Sequence, residues 1–497
     1  MIPTKKSKGL GFAGMLLAAT MLLQPATMTQ ALAAPAKAAQ PQAAKPQAAK
    51  PQAATSQAHV LKALPKPQEF RLANGLKVLL VERHDLPLVQ VQVVFRAGRL
   101  YEPAGKAGVA DLTANLMTKG TASRSATEIA HAIDFVGGSL AVGSDTDMAV
   151  ASLAILKKDL PVGLELLGDV LTQPAFSAEE LDRAREQAIA RLRSSLDDAD
   201  AVLGAAYDRA IFGQYPYGRT NLGTDASLSA LTREDIVAYH QARYRPDGAF
   251  AVIVGDVTRS EVESRFGQAL ADWKGQVSDS AIPQLPAPIK GKHVTLVDMD
   301  VNQSYVMLGN QSFKRNDPDY YATSLMLSIL GGGMNSRLFS EVRDRQGLAY
   351  GVWSSNRMDL TSGTVMVGLQ TKTASTKQAL NSIQHEIARM AKDGVTAKEL
   401  ADAKSAMLGF FPMQLESNPD LARMLTRIEF YGLGSDYLSR FAERVSAVDQ
   451  AAIRRMAQKY LPSGDYALVL VAPAKQIEAD LKGFGSVKTL SKQELIR

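Results

Sequence analysis

The stretch Tyr244-Arg245-Pro246-Asp247-Gly248-Ala249-Phe250-Ala251-Val252-Ile253-Val254 is answered near the C-terminus by Tyr460-Leu461-Pro462-Ser463-Gly464-Asp465-Tyr466-Ala467-Leu468-Val469-Leu470. Tyr, Pro and Gly recur in the same order and at the same spacing. A second echo sets Ser177-Ala178-Glu179-Glu180-Leu181 against Thr396-Ala397-Lys398-Glu399-Leu400, at nearly the same offset. Both members of that pair have a hydroxyl residue followed three positions later by Glu, the signature of a capped helix start. Two matches in one order at nearly one spacing imply an internal duplication.

Outward from these anchors, each half alternates strands with helices. Val89-Gln90-Val91-Gln92-Val93 has the period of a half-buried strand, and Asn74-Gly75 before it is a hairpin signal. Residues 181–196 and 378–390 have the spacing of amphipathic helices. The expected fold class is α+β, with two homologous mixed α/β sandwich halves. The Pro-containing segment 278–291 is the expected linker, which places one half at 59–277 and the other at 292–497.

The chain has 497 residues, enough for two packed units. Lys5, Lys6 and Lys8, an apolar run over 9–23 and Ala31-Leu32-Ala33 make up the three regions of a secretory signal peptide, expected at 1–33 and expected to be cleaved. The run is short for a bilayer span, so no stable membrane insertion is expected after cleavage. Residues 34–58 are almost wholly Ala, Pro, Gln and Lys, a composition that buries no core and reads as a disordered tether. The formal charge of +6 comes entirely from the six lysines before residue 59; beyond them the 50 basic and 50 acidic side chains balance, which gives nucleic acid no basic footprint. Cysteine is absent, which removes disulfides and thiolate chemistry. A periplasmic or otherwise secreted protein is expected.

Gly108-Val109-Ala110-Asp111-Leu112-Thr113-Ala114-Asn115-Leu116-Met117-Thr118-Lys119-Gly120-Thr121 resembles the active-site helix of the pitrilysin and mitochondrial-processing-peptidase family of zinc peptidases. The resemblance implies a LuxS/processing-peptidase-like metallohydrolase fold and spans about 66–475. The family carries H-x-x-E-H here: two histidines on one helix face bind Zn²⁺, the Glu is the general base, and a distant Glu is the third ligand. In this chain Asp111 and Asn115 occupy the histidine positions and Ala114 the base position. The third ligand is due near Leu192, where no carboxylate stands. The six histidines, His59, His84, His131, His240, His293 and His385, are scattered. No metal ligand is expected in this chain and no cofactor of its own; zinc belongs to a partner subunit.

Residues 303–350 resemble the family's C-terminal half most closely. They include Leu330-Gly331-Gly332-Gly333 and Arg343-Asp344-Arg345-Gln346-Gly347-Leu348-Ala349-Tyr350. In the family an Arg and a Tyr seven residues apart bind the substrate backbone and help stabilise the oxyanion. Arg343 and Tyr350 match them. Arg337 is expected to be structural and Arg345 solvated. Gly331, Gly332 and Gly333 are similar to the glycine-rich substrate loop of the processing peptidase's non-catalytic subunit. The resemblance implies the non-catalytic half of a heterodimer, inactive alone, that takes a peptide substrate together with a paralogous H-x-x-E-H subunit. The rival readings are a structural scaffold, similar to the zinc-less core subunits of the respiratory cytochrome complex, and a stand-alone peptide-binding protein.

Overall fold

In both halves the apolar run after the Tyr-x-Pro-x-Gly turn becomes a strand buried third from one edge of a six-stranded sheet. The computed structural model describes residues 66–278 and 281–496. The expected signal peptide and tether, His59 and the start of the expected first half lie outside the described residues.

The first sheet contains β1 (Gln68–Arg71), β2 (Lys77–Glu82), β3 (Leu88–Phe95), β4 (Ser139–Ser144), β5 (Ala149–Leu156) and β6 (Ala249–Gly255), in the spatial order β1-β2-β6-β3-β5-β4. The second contains β7 (Lys292–Asp298), β8 (Gln303–Ser312), β9 (Ala349–Met358), β10 (Gly363–Lys372), β11 (Tyr466–Ala472) and β12 (Ser486–Ser491), in the order β12-β7-β11-β8-β10-β9. In each, the strand after the echoed turn runs parallel to one neighbour and antiparallel to the other. The expected hairpin joins β1 to β2, with Gly75 at φ +90° and the Asn74 side chain accepting from the Leu76 N–H at 3.2 Å.

The longer helices are α1 (Val109–Met117), α2 (Ala126–Phe135), α3 (Leu160–Thr172), α4 (Ala178–Ser195), α5 (Ala199–Phe212), α6 (Arg233–Arg243), α7 (Tyr320–Gly331), α8 (Thr376–Asp393), α9 (Ala397–Phe410), α10 (Asn418–Phe430), α11 (Tyr437–Ser446), α12 (Gln450–Tyr460) and α13 (Ala474–Leu481). The echoed caps start α4 and α9: Ser177 accepts from the Glu180 N–H, and Thr396 forms a full capping box with Glu399. The halves therefore share the order of five strands, with the sixth added at the same edge by β1 before its half and antiparallel, and by β12 after its half and parallel; the α+β duplicated fold is as expected.

One expectation fails. β3 is not half-buried: Val89, Val91 and Val93 face the first half's core, but Gln90 on the opposite face is only 7% exposed. The cover comes from the other half. Helix α10 lies across β3 and β6, where Thr426 Oγ1 donates to Gln92 Oε1 at 2.7 Å and Glu429 pairs with Lys77 at 2.8 Å. Reciprocally, α5 of the first half lies across β8 and β11. Val297, Ala467, Val469 and Val471 of the second sheet thus belong to the first half's core, and Leu79, Val81, Val252 and Val254 of the first sheet to the second's. Each such Val or Leu side chain, taken out of water, contributes roughly 1.5–3 kcal/mol. Fit at this junction is tight: a Cβ at Gly309 on β8 would stand 2.1 Å from the Tyr207 hydroxyl of α5.

Segment 281–290 holds neither helix nor strand. It is nonetheless pinned, with Leu285 and Ile289 against the first core and Asn310 bonded through both side-chain atoms to the Ile289 backbone. Among the described residues no helix is long and apolar enough to cross a membrane.

Candidate functional site

Helix α1 starts at Gly108, whose φ of +91° and whose approach to the Leu222 carbonyl, 2.6 Å from where a Cβ would stand, both exclude a side chain. Its first N–H groups are satisfied by Glu102, which accepts from Gly108 at 2.8 Å and Ala110 at 3.2 Å. Glu102 is 9% exposed; burial pushes its carboxyl up to about 7, against the pull of those two hydrogen bonds. Sequence reasoning missed this group, because a capping acid six residues upstream of the helix follows no local pattern.

Asp111 and Asn115 share one half-exposed face of α1, and Ala114 is buried at 1%. Helix α4 packs alongside and brings Arg191 to 3.6 Å from Asp111. Burial raises the Asp111 pKa while Arg191 opposes that shift. Leu192, at the expected third-ligand position, is 1% exposed in the core. A tetrahedral zinc site needs three protein donors such as His and Glu. These positions offer one carboxylate and one amide, with a guanidinium where a dication's field would repel it, so zinc does not fit this face. Among the described residues no group of three or more His, Asp or Glu stands close enough to hold a metal ion, and His240 is buried against the Leu171 carbonyl, where burial lowers its pKa to about 4.

The second half presents its chemistry differently. The π-helical segment Phe339–Arg345 ends in a turn at Gly347, where φ is +64°, and the chain enters β9, the edge strand of its sheet. Arg343 lies over the Phe339 ring at 4.4 Å and near the Tyr350 ring at 6.0 Å. Among the described residues it makes no ion pair. Tyr350 is 78% exposed, and the pairing of β9 with β10 shows why: Gln370 pairs with Gly351 and Thr371 with Ala349, so Tyr350 is the extra residue of a β-bulge. A bulge re-aims a side chain and leaves its backbone unpaired. The sequence resemblance located Tyr350 but gave no sign of the bulge.

Arg337 forks onto Glu399 at 2.6 and 2.9 Å and donates to the Gly394 carbonyl, with a side chain only 10% exposed. Hydrogen bonding to Arg337 is the main reason the Glu399 carboxyl is lowered to about 2. Arg345 is 70% exposed and pairs with Glu341 on its own turn. Gly331 and Gly332 are demanded by contact, because a Cβ on Gly331 would meet the Ser354 N–H nitrogen at 2.4 Å and one on Gly332 the Ser328 backbone at 2.5 Å. Gly333 is open, and with Met334 and Asn335 it rims a cleft of about 680 Å³ reaching to Glu399 and Ala406.

Residues 77–225 match the family described as insulinase (peptidase family M16), and residues 230–407 match the peptidase M16 inactive domain. An uncharacterized zinc protease of Mycobacterium leprae is 30% identical over 366 residues, covering 73% of this chain and 82% of the relative. One from Bacillus subtilis is 24% identical, with 82% and 98% covered. A peptidase M16 inactive domain from Pseudomonas fluorescens superposes with a TM-score of 0.77 at 30% identity, over 82% of this chain and 98% of that one. A protease from Helicobacter pylori shares the fold with a TM-score of 0.74 at 22% identity, over 82% of this chain and all of that one. On its duplicated fold, its two matched segments and its relatives, the chain belongs to peptidase family M16.

Proposed function

We propose that this chain is the non-catalytic subunit of an exported, two-chain zinc peptidase, and that it supplies substrate-binding donors to a zinc-bearing H-x-x-E-H partner. The carrying observation is an asymmetry of satisfaction. The α1 face closes on itself through Asp111 and Arg191, whereas Arg343 beside an edge strand and Tyr350 within it find no partner for their side-chain donors among the described residues. An extended peptide adds to such an edge through main-chain hydrogen bonds. There the Arg343 guanidinium and the Tyr350 hydroxyl donate to a substrate carbonyl and keep donating as negative charge builds on its oxygen, while Gly333 and Met334 border the path. Water activation and bond cleavage belong to the partner. The n-region lysines and Ala31-Leu32-Ala33 support export to the periplasm or beyond, with the mature chain starting beside Ala34.

The test is purification of the full chain from its native cells, with metal analysis and N-terminal sequencing. The expected result is a complex of two different chains, with zinc absent from this one once separated and peptidase activity only in the complex. One equivalent of zinc on the isolated chain, with chelator-sensitive cleavage, would overturn the reading.

A further inference from the structure

At the N-terminal end of α7, the helix whose other end is the Gly331–Gly333 turn, a cleft of about 550 Å³ opens between α7, α11 and α12. The twelve residues of α7 put it roughly 18 Å from that turn. Its wall carries Arg315, Tyr320, Tyr321, Tyr437, Arg444 and Arg455. The Arg315 guanidinium carbon sits over the Tyr320 ring, 3.8 Å from its centroid, and 5.7 Å from that of Tyr437, whose hydroxyl accepts from it at 3.0 Å. Among the described residues Arg315 has no carboxylate partner. The acids nearby are committed: Asp319 to Lys459 and Tyr460 at 2.7 and 2.8 Å, Asp317 to the Asp319 N–H at 2.9 Å, and Asp436 to Arg440 and Arg444 at 3.3 and 3.2 Å. The buried Tyr321 hydroxyl faces Arg444 without completing a hydrogen bond of ordinary geometry.

We infer that this cleft is a binding site for a small oxyanion-bearing ligand with a flat apolar body. A half-enclosed cation without a counterion is costly, and an anion in the cleft relieves that cost. A guanidinium has five N–H donors, of which Arg315 uses one on Tyr437, leaving an edge that matches a carboxylate or a phosphate. The first turn of α7 adds the positive end of its dipole. Tyr320 and Tyr321, both partly exposed, offer ring surface for the ligand's body, and the ring array continues behind them into the buried Tyr437 and Phe441. The site stands apart from Arg343 and Tyr350 and does not depend on the peptidase reading.

Calorimetric titration of the full chain with inorganic phosphate, with N-acetyl-phenylalanine and with its uncharged amide tests this. Saturable binding of the acid but not the amide supports a carboxylate ligand, and binding of phosphate alone supports a phosphate ligand. In either case Arg315→Gln lowers affinity at least tenfold, and Arg455→Glu, a change at an exposed rim position that leaves the core untouched, lowers it severalfold; Arg345→Gln leaves it unchanged. If Arg315→Gln does not fold, Arg455→Glu decides. No binding of any probe at 10-fold millimolar excess, or equal binding in wild type and Arg455→Glu, overturns the inference and leaves Arg315 a structural peg between two rings.

Discussion

The polar face of α1 and the segment from Arg337 to Tyr350 occupy the two halves of one duplicated fold, yet they treat charge in opposite ways. On α1, Asp111 faces Arg191 and Glu102 is spent on the helix start, so the face has little left to offer a ligand. In the second half the fold satisfies one arginine and leaves another: Arg337 is clamped by Glu399, while Arg343, six residues on, rests only on aromatic rings. A side chain whose donors are all used holds the protein together. One whose donors remain free at an exposed edge is available for binding, and the proposed function rests on that difference.

The sharpest way to break this comparison is in the proposed two-chain peptidase. Arg343→Ala and Tyr350→Phe are each expected to lower kcat/KM by roughly tenfold to a thousandfold at constant zinc content. Arg343→Lys is expected to lose much of the same, since lysine keeps the charge without the planar set of donors. Complexes that assemble and run at wild-type rates with both changes would return the chain to a scaffold.

Next in size is a pH effect in the first half. The Glu102 carboxyl keeps its proton to about pH 7 in the fold but loses it near 4.5 in the open chain. The folded state therefore binds the extra proton between those values, and stability falls as pH rises through that window. Glu102→Gln keeps an acceptor for the α1 N–H groups and is expected to remove up to about 3 kcal/mol of that fall. Denaturant titrations at pH 5 and pH 8 measure it; an unchanged slope would contradict the buried assignment.

Smaller is the contrast between the two arginines. Arg337→Ala is expected to cost about 2 kcal/mol in urea unfolding, because Glu399 loses its bidentate partner. Arg343→Ala should stay within about 0.5 kcal/mol. Asp111→Ala is likewise expected to cost little, below about 0.5 kcal/mol, since Arg191 is 51% exposed and solvent screens the pair. A large loss there would mean the α1 face does more than close on itself.

The duplication was legible because turns and caps have strict chemical requirements: few residues replace Pro and Gly in the turns ahead of β6 and β11, or Ser177 and Thr396 at a helix start. The degraded zinc motif was legible for the same reason, since His and Glu at fixed spacing have no substitutes. Periodicity misjudged β3, because it reports that a face is polar and cannot foresee a helix from 330 residues away laid over Gln90 and Gln92. It was also silent on Arg191, whose place opposite Asp111 depends on two helices packing, and on the bulge that turns Tyr350 outward.

The exchange of α5 and α10 between the sheets bears on how this protein can be taken apart. Either half produced alone would leave the back of its sheet bare, with Leu79, Val81, Val252 and Val254 in one case and Val297, Ala467, Val469 and Val471 in the other exposed to water. Separate fragments should aggregate, while a chain cut within 281–290 should remain associated and melt as a single body. Two such fragments expressed together should find each other, which makes the junction a natural place to split the protein for complementation.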